Sequence, residues 1–349
     1  MAGIVPAVNA AATTDAAYDV VTIGHAIVDI LGYVGDDFLV THGLSKGIME
    51  LVDAARAVPL YQEMSRTAAS QGDDLLQISG GSAANTAVVA ALLGARTGFV
   101  GKVRDDQLGH VFTADIRAAG VHFTTGRSDH TADPTARCLI NVTPDAERTM
   151  STYLGAARGL RVTDMDEALL GSAKVTYLEG YLWDEMAARA ALERAIAVVH
   201  REGRRFSLTL SDPFCVDRFR DEWIELIDRS VDILFGNEAE LLSLFRTDDL
   251  DVALERVASM CEVAAITRGP KGSLVISAQG IEEVPAHPVS DVTDTTGAGD
   301  AYAGGFLYGF TRGDSLVRSA ELGGLAAAEV ISHLGPRPTS ALLDMVTAG

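Results

Sequence analysis

Short β-rich apolar runs alternate with longer helical patterns along most of the chain, and that alternation leaves few folds open. The runs Val20 to Ile23, Gly98 to Val100, Val175 to Leu178, Phe206 to Leu210, Val231 to Phe235 and Val263 to Thr267 read as strands. Helical patterns at Ser82 to Leu93, Asp106 to Ala119, Met186 to Arg201, Ala239 to Phe245 and Val252 to Met260 lie between them. Parallel strands need long crossovers, which helices supply, so this order predicts an α/β fold of βαβ units with a sheet covered on both faces. Two more helices, Ala301 to Phe310 and Ser315 to His333, follow near the C-terminus.

Two segments break the rhythm. Ile27 to Leu51 and Thr135 to Tyr153 carry alternating strand-like residues without a long helix, which predicts a small β lid over the main sheet. Residues 1–17, Ala/Thr-rich and without periodicity, read as a disordered lead-in, leaving 18–349 as one domain with its lid.

Charge narrows the partners. The balance of 28 Lys+Arg against 48 Asp+Glu, a net −20, argues against binding nucleic acid or an anionic membrane through the overall field. No Lys or Arg precedes Lys46, so no secretory or transit leader is indicated. The apolar stretch Ala83 to Ala95 falls short of the ~18 consecutive apolar residues of a membrane span. A cytoplasmic protein is the expectation. Cys138, Cys215 and Cys261 form no CxxC and the eight histidines no HxxxH or HExxH, so transition-metal catalysis has little support.

Ligands of an open parallel sheet bind outside the carboxyl ends of its strands. Polar residues gather there: Asp29, Glu179, Ser211, Asp212, Asn237, Glu240 and Arg268. The segment Asp294-Thr295-Thr296-Gly297-Ala298-Gly299-Asp300 precedes a small-residue helix. Bare amides of Gly297, Ala298 and Gly299 at a helix N-terminus form an anion hole, and Asp300 beside them is placed to take a proton from an attacking hydroxyl. The plainer alternative, a tight turn with a dipole-complementing Asp, fits these residues equally well. Ser79-Gly80-Gly81-Ser82-Ala83-Ala84-Asn85 opens another helix, where Asn85 offers donor and acceptor to paired hydroxyls; a glycine turn with Ser82 as N-cap is the competing account. Neither GxxxxGK[ST] nor GxGxxG occurs, since Arg96 and Tyr302 stand where each needs a Gly.

Taken together, GGSAANTAVVAALLG with VGKVRDDQLG, and DTTGAGDAYAGGFLYG, resemble the two signature regions of the ribokinase (PfkB) family of carbohydrate and nucleoside kinases. The resemblance extends over most of residues 19 to 340 and implies a ribokinase-like three-layer α/β/α sandwich, mostly parallel, with a small β lid. IGHAIVDI, LTLSDPF and VDILFGNEAE are most similar to the adenosine-kinase branch, which implies transfer from ATP to the ribose 5′-hydroxyl of adenosine.

By that resemblance Asp300 is the catalytic base, and Gly297, Ala298 and Gly299, with Arg148, meet the transferring phosphoryl group. Asp29, Gly80, Gly81 and Asn85 grip the ribose. Apart from the resemblance, Tyr181, which follows the strand Val175 to Leu178 with Leu182 and Trp183, is a candidate to pack on a purine, with core or lid packing the commoner account. Asn237, Thr267, Arg268, Gly269 and Gly272 approach ATP. Glu240 organises Mg²⁺ through water, although Asn237 and Glu240 also have the spacing of a capping box. Asp294 and Thr296 match positions that bind K⁺ in some members. His25 and Thr296 depart from the nucleoside-kinase pattern, each standing where Asn is usual. A kinase of a free sugar such as ribose or fructose, and a noncatalytic nucleoside-binding protein, are the alternatives. Monomer and homodimer both remain open.

Overall fold

The computed structural model describes residues 16–145, 147–339 and 342–348. The lead-in expected over 1–17 lies outside these apart from its last two residues. The described strands are β1 (Tyr18–Ile23), β2 (Ile27–Tyr33), β3 (Met49–Leu51), β4 (Leu76–Gly80), β5 (Thr97–Val100), β6 (His122–Phe123), β7 (Ala136–Val142), β8 (Arg148–Tyr153), β9 (Ala173–Glu179), β10 (Arg205–Thr209), β11 (Ile233–Asn237), β12 (Val263–Thr267), β13 (Ser273–Ser277) and β14 (Gly280–Val284).

Nine of them form one sheet in the order β14-β13-β12-β11-β10-β9-β1-β5-β6. Every pairing from β12 to β6 is parallel, and only the β13 and β14 edge is antiparallel. Alternating residues along each central strand feed two separate cores, as the period of two requires. Val21 and Ile23 of β1, Leu234 of β11 and Ile266 of β12 pack with helices Met186–Arg201, Pro213–Ser230 and Leu250–Ala258. Val20, Phe235 and Ala265 pack with helices Ser82–Leu92, Gln107–Ala118 and Ala298–Arg312 on the other face. The result is the ribokinase-like α/β architecture the sequence implied.

The second sheet has five strands in the order β3-β8-β7-β2-β4. β2, β3, β7 and β8 fall in the two irregular segments, whereas β4 comes from outside both. The first segment also contains a short helix, Asp36–Thr41. Ala54–Gln71 is helical despite Pro59 within it, and Pro213–Ser230 is helical despite a mixed-charge sequence. The latter start is well specified: Pro213 occupies the first turn and the Asp212 carboxylate accepts from Cys215 N–H at 2.7 Å.

Small residues decide how the two helices nearest the site meet. A Cβ on Gly304 would lie 2.8 Å from the Thr86 carbonyl oxygen, so only glycine lets helix Ala298–Arg312 lie this close to helix Ser82–Leu92. Both helices therefore open at one place. Among the described residues no helix is long and apolar enough to cross a membrane.

Candidate active site

A cavity of about 850 Å³ opens where the carboxyl ends of β1, β9, β10, β11 and β12 face the second sheet. Asp300, Gly297, Ala298, Gly299, Asp29, Gly81, Asn85, Tyr181, Asn237, Glu240, Thr267 and Thr296 all line it. Arg148, Gly80, Arg268, Gly269, Gly272 and Asp294 are not among the lining residues.

Helix Ala298–Arg312 begins three residues ahead of the expected Ala301, which puts Ala298, Gly299 and Asp300 in its first turn. The Ala298 amide donates to the Thr295 carbonyl at 3.2 Å, which leaves the Gly299 and Asp300 amides facing no carbonyl one turn back, and Gly297 precedes them with φ +77°, a left-handed conformation suited to glycine. Asp300 Oδ1 accepts from Ser82 Oγ at 2.6 Å and Oδ2 from Asn85 Nδ2 at 3.1 Å. Burial, helped by the charges of Glu179 and Asp29 and opposed by these two hydrogen bonds, pushes the Asp300 carboxyl up to about 7. Such a group is poised to take protons near neutrality.

Glu179, at the end of β9, is 1% exposed and holds the neighbouring pieces together. Its Oε1 accepts from His25 N at 2.7 Å and meets His25 Nδ1 at 2.6 Å, while Oε2 accepts from Ala83 N at 2.9 Å. A carboxylate at the first turn of Ser82–Leu92 also complements that helix's dipole.

Asp29 sits on β2, and burial pushes its carboxyl up to about 6 against the opposing pull of Arg337 and Arg148. Gly80 lies beside it on β4, and a Cβ there would overlap Asp29 Oδ2. Gly80 thus makes room for the cavity-lining Asp29 carboxylate without reaching the cavity itself. Gly80→Ala is expected to displace Asp29 and raise KM for the acceptor roughly tenfold, the weight of one charge-assisted hydrogen bond. Steady-state kinetics varying each substrate checks this, since KM for the phosphoryl donor should not move.

Asn85 is engaged at both amide ends: Nδ2 donates to Asp300, and Oδ1 accepts from Arg337 Nε at 3.1 Å. The Tyr181 hydroxyl donates to the Ser211 carbonyl oxygen at 3.3 Å, and burial with Asp212 nearby pushes its phenol up.

On the far side of the cavity, Asn237 and Glu240 make the capping box in full. Asn237 Oδ1 accepts from Glu240 N at 2.9 Å, and Glu240 accepts from Asn237 N at 2.9 Å and from Nδ2 at 2.7 Å. Burial, then the charge of Asp212, pushes Glu240 up to about 7. Each of its oxygens already accepts an N–H, an arrangement that fits contact with Mg²⁺ through the ion's water shell. Arg268 pairs with Glu238 at 3.0 Å and Glu283 at 3.1 Å, and Gly269 and Gly272 shape the β12 to β13 turn beside it.

Arg148 and Asp294 meet each other. Their side chains are 5% and 8% exposed and lie 2.8 Å apart. The contact is charge pairing without hydrogen-bond alignment, since no nitrogen of the Arg148 guanidinium has a hydrogen-bond partner. Buried donors left unspent in this way suit an anion arriving from the cavity side. Both oxygens of Asp294 are engaged: Oδ1 accepts from Thr296 N at 3.0 Å, and Oδ2 accepts from Gly335 N at 3.0 Å with the Arg148 guanidinium 2.8 Å away. With a guanidinium already on that carboxylate, Asp294 and Thr296 do not fit a monovalent cation.

Ser82 and Arg337 belong to the site, yet no spacing singles them out; Glu179, expected there as a polar residue at a strand end, gives no sign in sequence of what it holds. Arg337 is 252 positions from the Asn85 it bonds. Ser82, legible as an N-cap, instead spends its hydroxyl on Asp300 while Gly81 precedes the helix.

A helix terminus with open amides, a buried acid beside it and a second buried carboxylate across the cavity fit a phosphotransferase acting on an alcohol group. The chain belongs to the pfkB carbohydrate kinase family, whose model matches residues 47–341. It is similar to the crystal structure of adenosine kinase from Sinorhizobium meliloti, with 47% identity, a TM-score of 0.85 and coverage of 95% of this chain and 99% of that one. A probable sugar kinase from Rhizobium etli is 45% identical, with a TM-score of 0.86 over 95% of this chain and 98% of that one. Adenosine kinase of Saccharomyces cerevisiae is 27% identical over 90% of this chain and 95% of its own length.

Proposed function

We propose that the chain phosphorylates adenosine at the ribose 5′-hydroxyl, using ATP and giving AMP and ADP. One observation carries the choice of a nucleoside over a free sugar: the acceptor carboxylate is set in an apolar wall. Ile27, two residues from Asp29 on the same strand, lines the cavity with Cys138 and Ile140 of β7 and Met150 of β8. Met49 and Leu51 of β3 extend that wall and are 45% and 61% exposed. A ribose gripped by Asp29 leaves its base against this surface, whereas a free sugar has nothing apolar to put there.

In this reading residues 18–349 work as one kinase domain with the second sheet as its lid. Asp29 holds the ribose hydroxyls while Asp300 removes the 5′-proton. The helix-start segment Gly297 to Gly299, and the unspent donors of Arg148, stabilise charge on the transferred group. Mg²⁺ bound with ATP supplies further charge neutralisation. Seating the second sheet excludes water, which favours transfer over hydrolysis.

The test is ADP release with ATP and Mg²⁺ across adenosine, other nucleosides, ribose and fructose, in K⁺ and in tetramethylammonium buffers. Turnover with adenosine and none with ribose or fructose is expected, at equal rates in both buffers because Arg148 occupies Asp294. Turnover with a free sugar alone would transfer the acceptor to that class. Adenosine binding without ADP from any acceptor would make the chain a binding protein.

A further inference from the structure

The segment Gly335-Pro336-Arg337 crosses the back of the site as a strap. Gly335 N–H donates to Asp294, Pro336 lies against Gly297, where a Cβ would approach it to 2.7 Å, and Arg337 enters behind Asn85. Arg337 Nε donates to Asn85 Oδ1 at 3.1 Å and Nη1 to Asp115 Oδ2 at 3.0 Å; Asp115 in turn accepts from Ser79 N at 2.8 Å.

An amide side chain has a donor end and an acceptor end of nearly equal shape, so packing alone does not choose which one faces a neighbour. A guanidinium chooses, because it only donates. With Arg337 against its oxygen, Asn85 must turn its NH₂ to Asp300 Oδ2. We propose that Arg337 is a positioning residue of this kinase: by holding the Asn85 amide in one sense, it keeps a hydrogen-bond donor on the Asp300 carboxylate and so preserves the base form. The proposal rests on the reading of Asp300 as the base.

The other groups facing Asp300 are Ser82, which donates, the acids Glu179 and Asp29, and the buried phenols Tyr177 and Tyr181. Two acids already disfavour a third charge, so the loss of one donor falls on a carboxylate with little to spare. Once Arg337 is gone, Asn85 is free to rotate and present its carbonyl, which favours the protonated, inactive form.

The experiment is the pH dependence of kcat for the full-length wild type, Arg337→Met, Asn85→Ala and the double variant, with thermal unfolding of each. Arg337→Met is expected to move the acid limb of kcat up by about one pH unit, the size of one hydrogen bond to a charged group, with KM for ATP unmoved. The double variant should match Asn85→Ala alone, because Arg337 acts through Asn85. An unmoved limb, or additive effects in the double variant, overturns the proposal. If Arg337→Met does not fold, the limb is read in Arg337→Gln, whose amide carries both a donor and an acceptor and so no longer fixes the sense of the Asn85 amide; an unmoved limb there is equally fatal. The same protonation is read without turnover, from the pH at which each melting curve parts from that of its Asp300→Asn counterpart. Full turnover by Asp300→Asn would instead remove the base reading, and that linkage measurement would still decide the role of Arg337.

Discussion

Asp300→Asn should lower kcat by about 10²- to 10⁴-fold, the share of a positioned general base, while KM for adenosine changes little because Asp29 still holds the ribose. In the wild type, kcat should rise as pH passes through about 7, where the Asp300 carboxyl gives up its proton. The same group sets a stability trend. Its folded value lies above the ordinary 3.8, so the folded chain holds the proton more tightly than the unfolded one. Its stabilising contribution is present below the ordinary carboxylate range and is lost as pH rises through about 7. The variant should therefore melt higher than wild type at pH 8 and alike at pH 4. Wild-type turnover, or a melting point that falls at pH 8, would deny Asp300 both roles.

Arg148→Ala is the second large effect expected. Removing one partner of a buried ion pair costs about 3–5 kcal/mol, and the two backbone donors left on Asp294 hold this case near the lower end. Denaturant unfolding should show that loss. kcat/KM should fall as well, by about 10²-fold or more if the guanidinium acts like other charge-stabilising donors. A fall in kcat/KM with an unchanged unfolding midpoint would mean that Arg148 serves the phosphates alone; a fall in stability only would make it a tether between β8 and the anion-hole loop.

Much of this was legible before any coordinates. The central strands announce themselves because each must supply apolar residues to two cores, as Val20 and Val21 do on opposite faces of β1. The residues around Asp300 were legible because the anion hole is local, confined to a few consecutive small residues. Helix Ala54–Gln71 was not, since Pro59 is a breaker in sequence although tertiary packing of Ala57, Leu60 and Met64 keeps it helical. Strand β4 is short and half-exposed and β14 is exposed over most of its length, so their alternation carries little contrast. Arg337 was hidden for a different reason: it acts through side chains brought to it only by the completed fold, and an arginine between two prolines has no local signature. Glu179 stood out by its place at a strand end, but its partners His25 and Ala83 become neighbours only in the folded chain.

Asp29 belongs to the five-stranded sheet and Asp300 to a helix packed on the nine-stranded one. In the proposed reading grip and chemistry are thus mounted on separate plates, with the Arg148–Asp294 pair one of the contacts between them beside the shared apolar core of Val28, Ile30 and Phe306. A tilt of one plate takes the substrate out of reach of the reagent while leaving each half intact, much as a clutch disengages a running engine. Idling without fuel loss is then a geometric property of the assembly, needing no change in any single group.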